Sequence, residues 1–298
     1  MSKFFLVQFL TEKFFLSIFH SKLTGKGFLS SRIKFKIENR LIFSPRVKKV
    51  LKIKKELIGT FTPIKLLTPD CVRLYAWYVK PKPNNPVVIF IPGQSESISK
   101  WQDTLEFLQN MGYGALFLSL RGHYKSAGIP SEEGVYTDAE TAIKFLKKEG
   151  FKSKDIIVWG RSLGSATALE MGVRHRLKGV ILESAIQNIK CAASTLIEYY
   201  LTSFKISFFK SYVMKMLSEI NFMQNFENDK KIAGLKTKAL IIHSKNDLKI
   251  PYKTAELLHS LNPKTKLVIS EEGSHESNDW CFEEVENFLH SLSEVVAK

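Results

Sequence analysis

Apolar residues fall into short continuous runs along most of this chain, and stretches with helical spacing separate these runs. A continuous run rich in β-branched residues is typical of a strand covered on both faces. Val135–Lys148 instead places its apolar residues on one face of a helix. The runs are Val87–Ile91, Ala115–Leu120, Ile156–Trp159, Gly179–Leu182, Ala239–His243 and Lys266–Ser270. Their alternation with helices predicts an α/β domain with a doubly wound parallel sheet.

Two further segments extend the predicted sheet at its N-terminal side. Phe61–Thr68 and Val72–Val79 have strand character, and Thr68-Pro69-Asp70 supplies a turn between them. We therefore expect a mostly parallel sheet of eight strands with helices on both faces, in a single domain over residues 61–298. The length of 298 residues is compatible with one such core.

One segment, Ile189–Phe226, breaks the alternation and predicts a helical insertion that caps the domain. It is rich in aromatic and methionine residues. Either these side chains pack on each other and on the body, or some of them also line a pocket for an acyl chain. They are Tyr199, Tyr200, Phe204, Phe208, Phe209, Tyr212, Met214, Met216, Phe222 and Met223.

The first sixty residues form a basic, hydrophobic arm. They hold fourteen Lys/Arg and three Glu, a formal charge of +11 out of the total of +15. Glu12 and Lys13 interrupt the aromatic run Phe4–Phe19, so each part is too short for a spanning helix. The run also lacks the unbroken apolar centre and the small-residue cleavage site of a signal peptide. The arm either contacts an anionic membrane surface peripherally through residues 1–40, or packs on the domain or a partner subunit. The basic residues on the membrane interpretation are Lys22, Lys26, Arg32, Lys34 and Lys36.

Charge and cysteine content narrow the class of protein further. Residues 61–298 carry only +4, and no zinc finger or basic zipper accompanies the lysines, so we expect no nucleic-acid partner. Cys71, Cys191 and Cys281 are odd in number and far apart, which indicates neither a disulfide framework nor a zinc cluster. We expect a reducing, cytoplasmic location, peripheral at a membrane if the arm binds lipid. Composition leaves the oligomeric state open.

The run that begins at Ile156 leads into Gly160-Arg161-Ser162-Leu163-Gly164, which fits the G-x-S-x-G nucleophile elbow. In that turn a strained serine stands between a strand and a helix, and glycines two residues before and after let the two elements pass closely. The alternative is an ordinary Gly-Ser turn between core elements. The apolar strand before the motif and the Ala/Leu-rich helix after it favour Ser162 as a nucleophile.

A serine nucleophile needs a histidine base, and that base needs a carboxylate to orient it. Asp247 follows the strand Ala239–His243, and His275 follows the last strand in a glycine-containing loop. The order Ser, Asp, His is the one expected on an α/β sheet. Asp229 and Glu183 are less well placed alternatives to Asp247. We therefore expect a triad of Ser162, Asp247 and His275.

The oxyanion formed when a serine attacks a carbonyl needs backbone N–H donors. We expect one from Leu163, directly after the nucleophile, and one from Gln94 in the loop after Val87–Ile91. This chemistry requires no metal and no cofactor.

From about Leu41 to the C-terminus the sequence resembles the α/β-hydrolase superfamily, in particular its ABHD-type serine hydrolases. The resemblance rests on Arg121-Gly122-His123-Tyr124-Lys125-Ser126-Ala127-Gly128-Ile129-Pro130-Ser131-Glu132-Glu133-Gly134, on Asp138-Ala139 and on the elbow. Tyr124 stands where the family usually has glycine. Pro92-Gly93-Gln94-Ser95-Glu96-Ser97 replaces the usual H-G-N-x-G-N. The resemblance implies an α/β-hydrolase fold and hydrolysis of esters or thioesters, including acyl groups on proteins or lipids.

These observations predict a serine hydrolase that cleaves carboxylic ester or thioester bonds of a small molecule or an acylated protein through an acyl-enzyme. A serine peptidase is the alternative within enzymes, since the same triad cleaves amides, although the chain has no large substrate-sorting domain. The altered loop around Gln94 keeps a third alternative open, namely a non-catalytic scaffold or binding protein with a hydrolase fold.

Overall fold

The computed structural model describes residues 31–43, 51–203, 210–218 and 221–293. Eight strands form one sheet in the order β1-β2-β4-β3-β5-β6-β7-β8. The pairs β1·β2 and β2·β4 are antiparallel and the others are parallel, which confirms the predicted fold class. The strands are β1 Thr62–Leu67, β2 Arg73–Val79, β3 Val87–Ile91, β4 Gly114–Ser119, β5 Ile156–Arg161, β6 Gly179–Glu183, β7 Ala239–Ser244 and β8 Lys266–Ser270.

Helices surround this sheet in the described parts of the chain. None of these described helices combines the length and the apolar character that crossing a bilayer requires. The helices are α1 Ser31–Ile42, α2 Gln102–Asn110, α3 Glu132–Lys148, α4 Leu163–Arg174, α5 Ile189–Ser203, α6 Lys210–Ser218, α7 Asn228–Lys231, α8 Lys253–Leu261 and α9 Phe282–Ser291.

Side chains of the central strands alternate between two apolar clusters because successive residues of a strand point to opposite faces. In β3, Ile89 belongs to a cluster under α3, α4 and α8, whereas Phe90 belongs to a second cluster under α2 and α9. All five residues of β3 are buried. Because apolar layers cover both faces, the strands carry continuous apolar runs.

The helical insertion predicted at 189–226 begins with α5 and continues with α6. The side chain of Lys190 in α5 donates to the carbonyl of Ser218 at the end of α6 (2.6 Å), so the two helices are tied together. Phe222 is half-buried, Met223 is exposed and Phe226 is fully buried. Phe204, Phe208 and Phe209 lie outside the described residues, as do the side chains of Tyr200, Tyr212 and Met216.

The described part of the arm packs on the body. Phe43, at the end of α1, is buried and contacts Phe226 edge to face at 5.8 Å between ring centroids. Polar contacts accompany it: the Glu38 carboxylate accepts from the backbone N–H of Met223 (2.8 Å), and the Gln224 side chain contacts Asn39. Helix α1 therefore bridges to the end of the helical insertion. The aromatic run Phe4–Phe19 and the basic residues Lys22 and Lys26 lie outside the described residues.

Candidate active site

Ser162 occupies a strained turn between β5 and α4. Its φ of 51° and ψ of −122° are disfavoured for a residue with a side chain, and its N–H donates to the carbonyl of Glu183 at 2.9 Å. The flanking glycines are required by space. A Cβ on Gly160 would lie 2.3 Å from the carbonyl oxygen of Gly164, and a Cβ on Gly164 would lie 2.3 Å from that of Ile91. The geometry is that of a nucleophile elbow.

His275 and Asp247 meet at the carboxyl edge of the sheet. His275 Nδ1 lies 2.7 Å from Asp247 Oδ2, and the Asp247 side chain is fully buried. With Nδ1–H donating to the carboxylate, Nε2 carries the lone pair that can take a proton. Within the described residues, no hydrogen bond joins this Nε2 to the Ser162 hydroxyl. Such catalytic contacts are often long without substrate and shorten when it binds.

The carboxylate of Asp247 is held in its charged form. Burial alone would raise its pKa, but hydrogen bonds from His243 and His275 and from the backbone N–H of Ile250 keep the pKa well below the ordinary range. The backbone N–H groups of Lys249 and Ile250 each donate to Asp247 Oδ1 at 2.9 Å. The carboxylate therefore stays ionised while it orients the imidazole.

The pKa of His275 lies below the usual 6.5. Burial is the main cause, and the positive charges of Arg161 and Lys249 add to it, while the carboxylate of Asp247 opposes it. At neutral pH the imidazole is therefore mostly uncharged, which is the form in which it can act as a base.

The two other carboxylates considered for the triad have different partners. Glu183 accepts from Arg161 Nε and from the Trp159 indole, each at 2.9 Å. Asp229 accepts from the side-chain amides of Gln187 and Asn188, each at 2.9 Å. The structure thus brings Asp247, and neither alternative, to His275.

The loop after β3 lies directly against the elbow. A Cβ on Gly93 would lie 3.0 Å from Ser162 Cβ, so this loop borders the nucleophile. The Gly93 N–H donates to Glu96 Oε2 at 2.8 Å, and the Gln94 side chain donates to the carbonyl of Ile42 at 2.7 Å. Leu163 is the first residue of α4, where backbone N–H groups have no partner in a preceding turn. Leu163 directly follows Ser162, and Gln94 lies in the bordering loop, so the oxyanion-hole assignment of their two N–H groups stays a prediction.

Sequence reasoning missed the buried polar groups behind these residues. Arg161 is fully buried, and its guanidinium contacts the carboxylates of Glu96 and Glu183 and the backbone carbonyl of His275. His243 is also fully buried, and its Nε2 lies 2.8 Å from the carbonyl of Ile250 and 3.4 Å from Asp247 Oδ2. The sequence signal that could have revealed these buried groups is a charged or polar residue at the end of an otherwise apolar strand.

The sequence departs from the family pattern at Tyr124 and in the loop 92–97, and both places have an unusual backbone conformation. Tyr124, where glycine is usual, keeps a φ of 41°, and its ring packs edge to face on Tyr75 at 5.4 Å. Ser95, in the altered loop, has a φ of 59°. Both residues have a left-handed backbone that is uncommon for residues with a side chain.

Comparison with known proteins finds relatives that this chain matches over part of its length. An uncharacterised membrane protein of Saccharomyces cerevisiae is 31% identical over 134 residues, which cover 44% of this chain and 47% of that protein. The lysophosphatidylserine lipase ABHD12 of Danio rerio is 25% identical over 202 residues, or 64% of this chain and 51% of that protein. The chain spans about half the length of each of these relatives.

An α/β hydrolase from Vibrio vulnificus has a similar structure, with a TM-score of 0.68 at 21% identity over 88% of this chain and 94% of that one. The family model described as Hydrolase_4, serine aminopeptidase S33, matches residues 82–271, which include the elbow and Asp247. Because this match spans well over half of the chain, the chain belongs to the Hydrolase_4 (serine aminopeptidase, S33) family of the α/β-hydrolase superfamily.

Proposed function

We propose that this protein is a serine hydrolase of the esterase and lipase type, acting on carboxylic esters or thioesters of amphiphilic acyl compounds. The observation that carries the proposal is the 2.7 Å contact between His275 Nδ1 and Asp247 Oδ2, at the same sheet edge as the strained elbow of Ser162. The name of the Danio rerio relative, a lysophosphatidylserine lipase, supports an ester of this kind.

The proposed reaction passes through an acyl-enzyme. Ser162 Oγ forms a bond to the substrate carbonyl carbon while His275 Nε2 takes its proton, and the carbonyl electron pair moves onto oxygen. N–H groups of Leu163 and Gln94 would stabilise that oxyanion. When the bond to the alcohol or thiol breaks, His275 protonates the leaving group. Water, deprotonated by His275, then releases the acid and restores the serine.

Labelling with a fluorophosphonate probe tests the activated serine without assuming a substrate. We expect wild type to react, and Ser162→Ala and His275→Ala to lose at least about a hundredfold in labelling rate. Ser260→Ala and His290→Ala, exposed on α8 and α9, are matched controls that should label like wild type. A folded wild type that never reacts would contradict the proposal and favour a scaffold role.

A substrate panel distinguishes ester from amide hydrolysis, which the family description leaves as an alternative. We would compare p-nitrophenyl esters and matched thioesters of two to twelve carbons with aminoacyl p-nitroanilides. Higher kcat/KM for medium or long acyl chains would support an acyl pocket beside Phe222 and Met223. Activity on acetyl esters alone would contradict that pocket, and activity on anilides alone would identify a peptidase.

We also propose that the arm contacts an anionic membrane surface from the cytoplasmic side. The concentration of charge in residues 1–60 supports this idea, as does Lys36, which lies exposed on α1. Flotation with phosphatidylserine-containing vesicles should carry the full chain but not a chain that lacks residues 1–30. Failure of both chains to float would remove the membrane proposal, and equal flotation of both would place the contact outside residues 1–30.

A further inference from the structure

The guanidinium of Arg161 is the most heavily engaged charged group around the proposed nucleophile. Its Nε donates to Glu183 Oε1 at 2.9 Å and its Nη1 donates to Glu96 Oε1 at 3.0 Å. Its Nη2 donates to the backbone carbonyl of His275, and its Cζ lies 4.4 Å from the ring centroid of Trp101. All of these contacts are made by a side chain with no solvent exposure.

A contribution to folding stability does not by itself explain why Arg161 and its two carboxylate partners are buried. Taking charges out of water costs several kcal/mol per ion, and a buried ionic triad can often be replaced by apolar side chains without loss of stability. The pKa of Glu183 is raised by burial in spite of Arg161, so its carboxylate is costly to hold in this place. The buried ion pairs of Arg161 with Glu96 and Glu183 therefore call for an explanation other than a gain in folding stability.

The partners of Arg161 belong to the segments that carry the site. Glu96 lies in the loop that borders Ser162, and it also accepts the Gly93 N–H, which fixes the course of that loop. His275 carries the proposed base, and Arg161 itself directly precedes Ser162. One rigid, planar donor group therefore sets the distances among the oxyanion loop, the base and the nucleophile.

On the basis of the proposed hydrolase function, we propose that Arg161, held by Glu96 and Glu183, is a positioning residue that fixes the His275 loop and the 92–97 loop relative to Ser162. It touches neither substrate nor reacting atoms. Its effect on the reaction passes through the backbone carbonyl of His275 and the carboxylate of Glu96.

The charge of Arg161 gives the proposal a second readout. The charged groups that face His275 are Asp247, Arg161 and Lys249, with Glu276 next to it in the chain. Arg161 disfavours the imidazolium, and Glu96 compensates part of that positive charge. Lys100 and Arg161 keep the pKa of Glu96 below its usual value against the effect of burial, so Glu96 is ionised at neutral pH.

Two variants separate geometry from charge. Arg161→Lys keeps the charge but loses the planar set of N–H donors, so we expect kcat to fall about tenfold or more while KM stays within twofold of wild type. The acid limb of its pH–rate profile, where His275 becomes protonated, should stay where wild type has it. Glu96→Gln keeps the shape but removes the compensating anion. We therefore expect its kcat per labelled serine to fall, because Arg161 is held by one carboxylate fewer, and its acid limb to move to lower pH, because His275 becomes harder to protonate.

Arg121→Lys is the matched control. Arg121 is a buried arginine that also bridges two carboxylates, Asp70 and Asp138, but it follows β4 and has no contact with His275. We expect it to lower the melting temperature without changing kcat per labelled serine or the pH profile. Rates are measured on the best ester of the substrate panel and divided by the fraction of molecules that react with fluorophosphonate.

Equal kcat and equal pH profiles in wild type, Arg161→Lys and Glu96→Gln would overturn the positioning role. If Arg161→Lys does not fold, Glu96→Gln decides, because loss of one carboxylate that holds Arg161 should lower kcat per labelled serine, whereas a purely structural role would leave it unchanged. Failure of the proposed function looks different, since wild type itself would then neither react with the probe nor hydrolyse the ester.

Discussion

Backbone atoms, not side chains, determine which residues can flank Ser162. The elbow brings the carbonyls of Ile91 and Gly164 so close to the two flanking glycines that no Cβ fits. The need for Gly160 could be interpreted from sequence, because its hard contact with the carbonyl of Gly164 lies within a few residues. The contacts of Arg161 could not, since they depend on which strands are neighbours.

Gly164→Ala should destabilise the protein severely. The new Cβ would meet the carbonyl oxygens of Ile91 and Pro92 at 2.3 and 2.6 Å, and neither β3 nor α4 can move without disturbing the core. We expect the free energy of unfolding to fall by about 3 kcal/mol or more, or soluble protein to be lost. Urea denaturation followed by circular dichroism measures this change.

Gly234→Ala is the control for that experiment. It ends a short 3-10 turn, and a Cβ placed there has no heavy atom within 4 Å. We expect its free energy of unfolding to stay within about 0.5 kcal/mol of wild type. Equal stability of both variants would show that the elbow is more compliant than its contacts indicate.

At the scale of elements, the strands were predicted closely because a strand that is buried on both faces has a continuous run of apolar residues. β3 and β8 have the predicted bounds, and β5 extends two residues beyond Trp159. Those two added residues are Gly160 and Arg161, where the apolar run has ended. A polar residue at a strand end is buried only if another element supplies its partner, and here Glu183 does so from the neighbouring strand in register.

Helix α1 shows what sequence patterns cannot resolve. Its bonds to the body join Ile42 to Gln94 and Glu38 to Met223, which are far apart in the chain and largely involve backbone atoms. Neither periodicity nor composition carries information about such pairs. The sequence left open whether the arm binds a membrane or the body, and for residues 31–43 the structure shows contact with the body.

Phe43→Ala tests how firmly α1 is held. The ring is 1% exposed and packs against Phe226, so its removal leaves a cavity in the main core. We expect the free energy of unfolding to fall by about 3 to 5 kcal/mol. Ile58→Ala, a change of a 68% exposed side chain from the same region of the chain, should cost less than about 0.5 kcal/mol. Similar small losses in both variants would mean that α1 opens from the body without unfolding it.

For the whole molecule, carboxylates whose pKa values are shifted in opposite directions shape the dependence of stability on pH. Arg121 holds the pKa of Asp70 at about 2, and hydrogen bonds hold that of Asp247 lower than usual despite burial. A depressed pKa in the folded state contributes stability that is lost as the pH falls below the ordinary Asp value. Asp138 behaves in the opposite way, because burial raises its pKa to about 6 despite Arg121.

The sign for Asp138 makes a specific prediction for the range between pH 4 and pH 7. An unfolded aspartate ionises near pH 3.8, whereas folded Asp138 resists ionisation up to about pH 6, so its contribution to stability is full below pH 3.8 and is lost as the pH rises through 6. The loss amounts to about 3 kcal/mol at most. Urea denaturation of wild type and Asp138→Asn at half-unit pH steps should show this decline as the difference between the two stability curves. Asp138→Asn should remove it, while Glu149→Gln, an exposed change at the end of the same helix, should retain it. A decline of equal size in Asp138→Asn would assign the pH dependence to other groups and show that Arg121 keeps Asp138 ionised throughout this range.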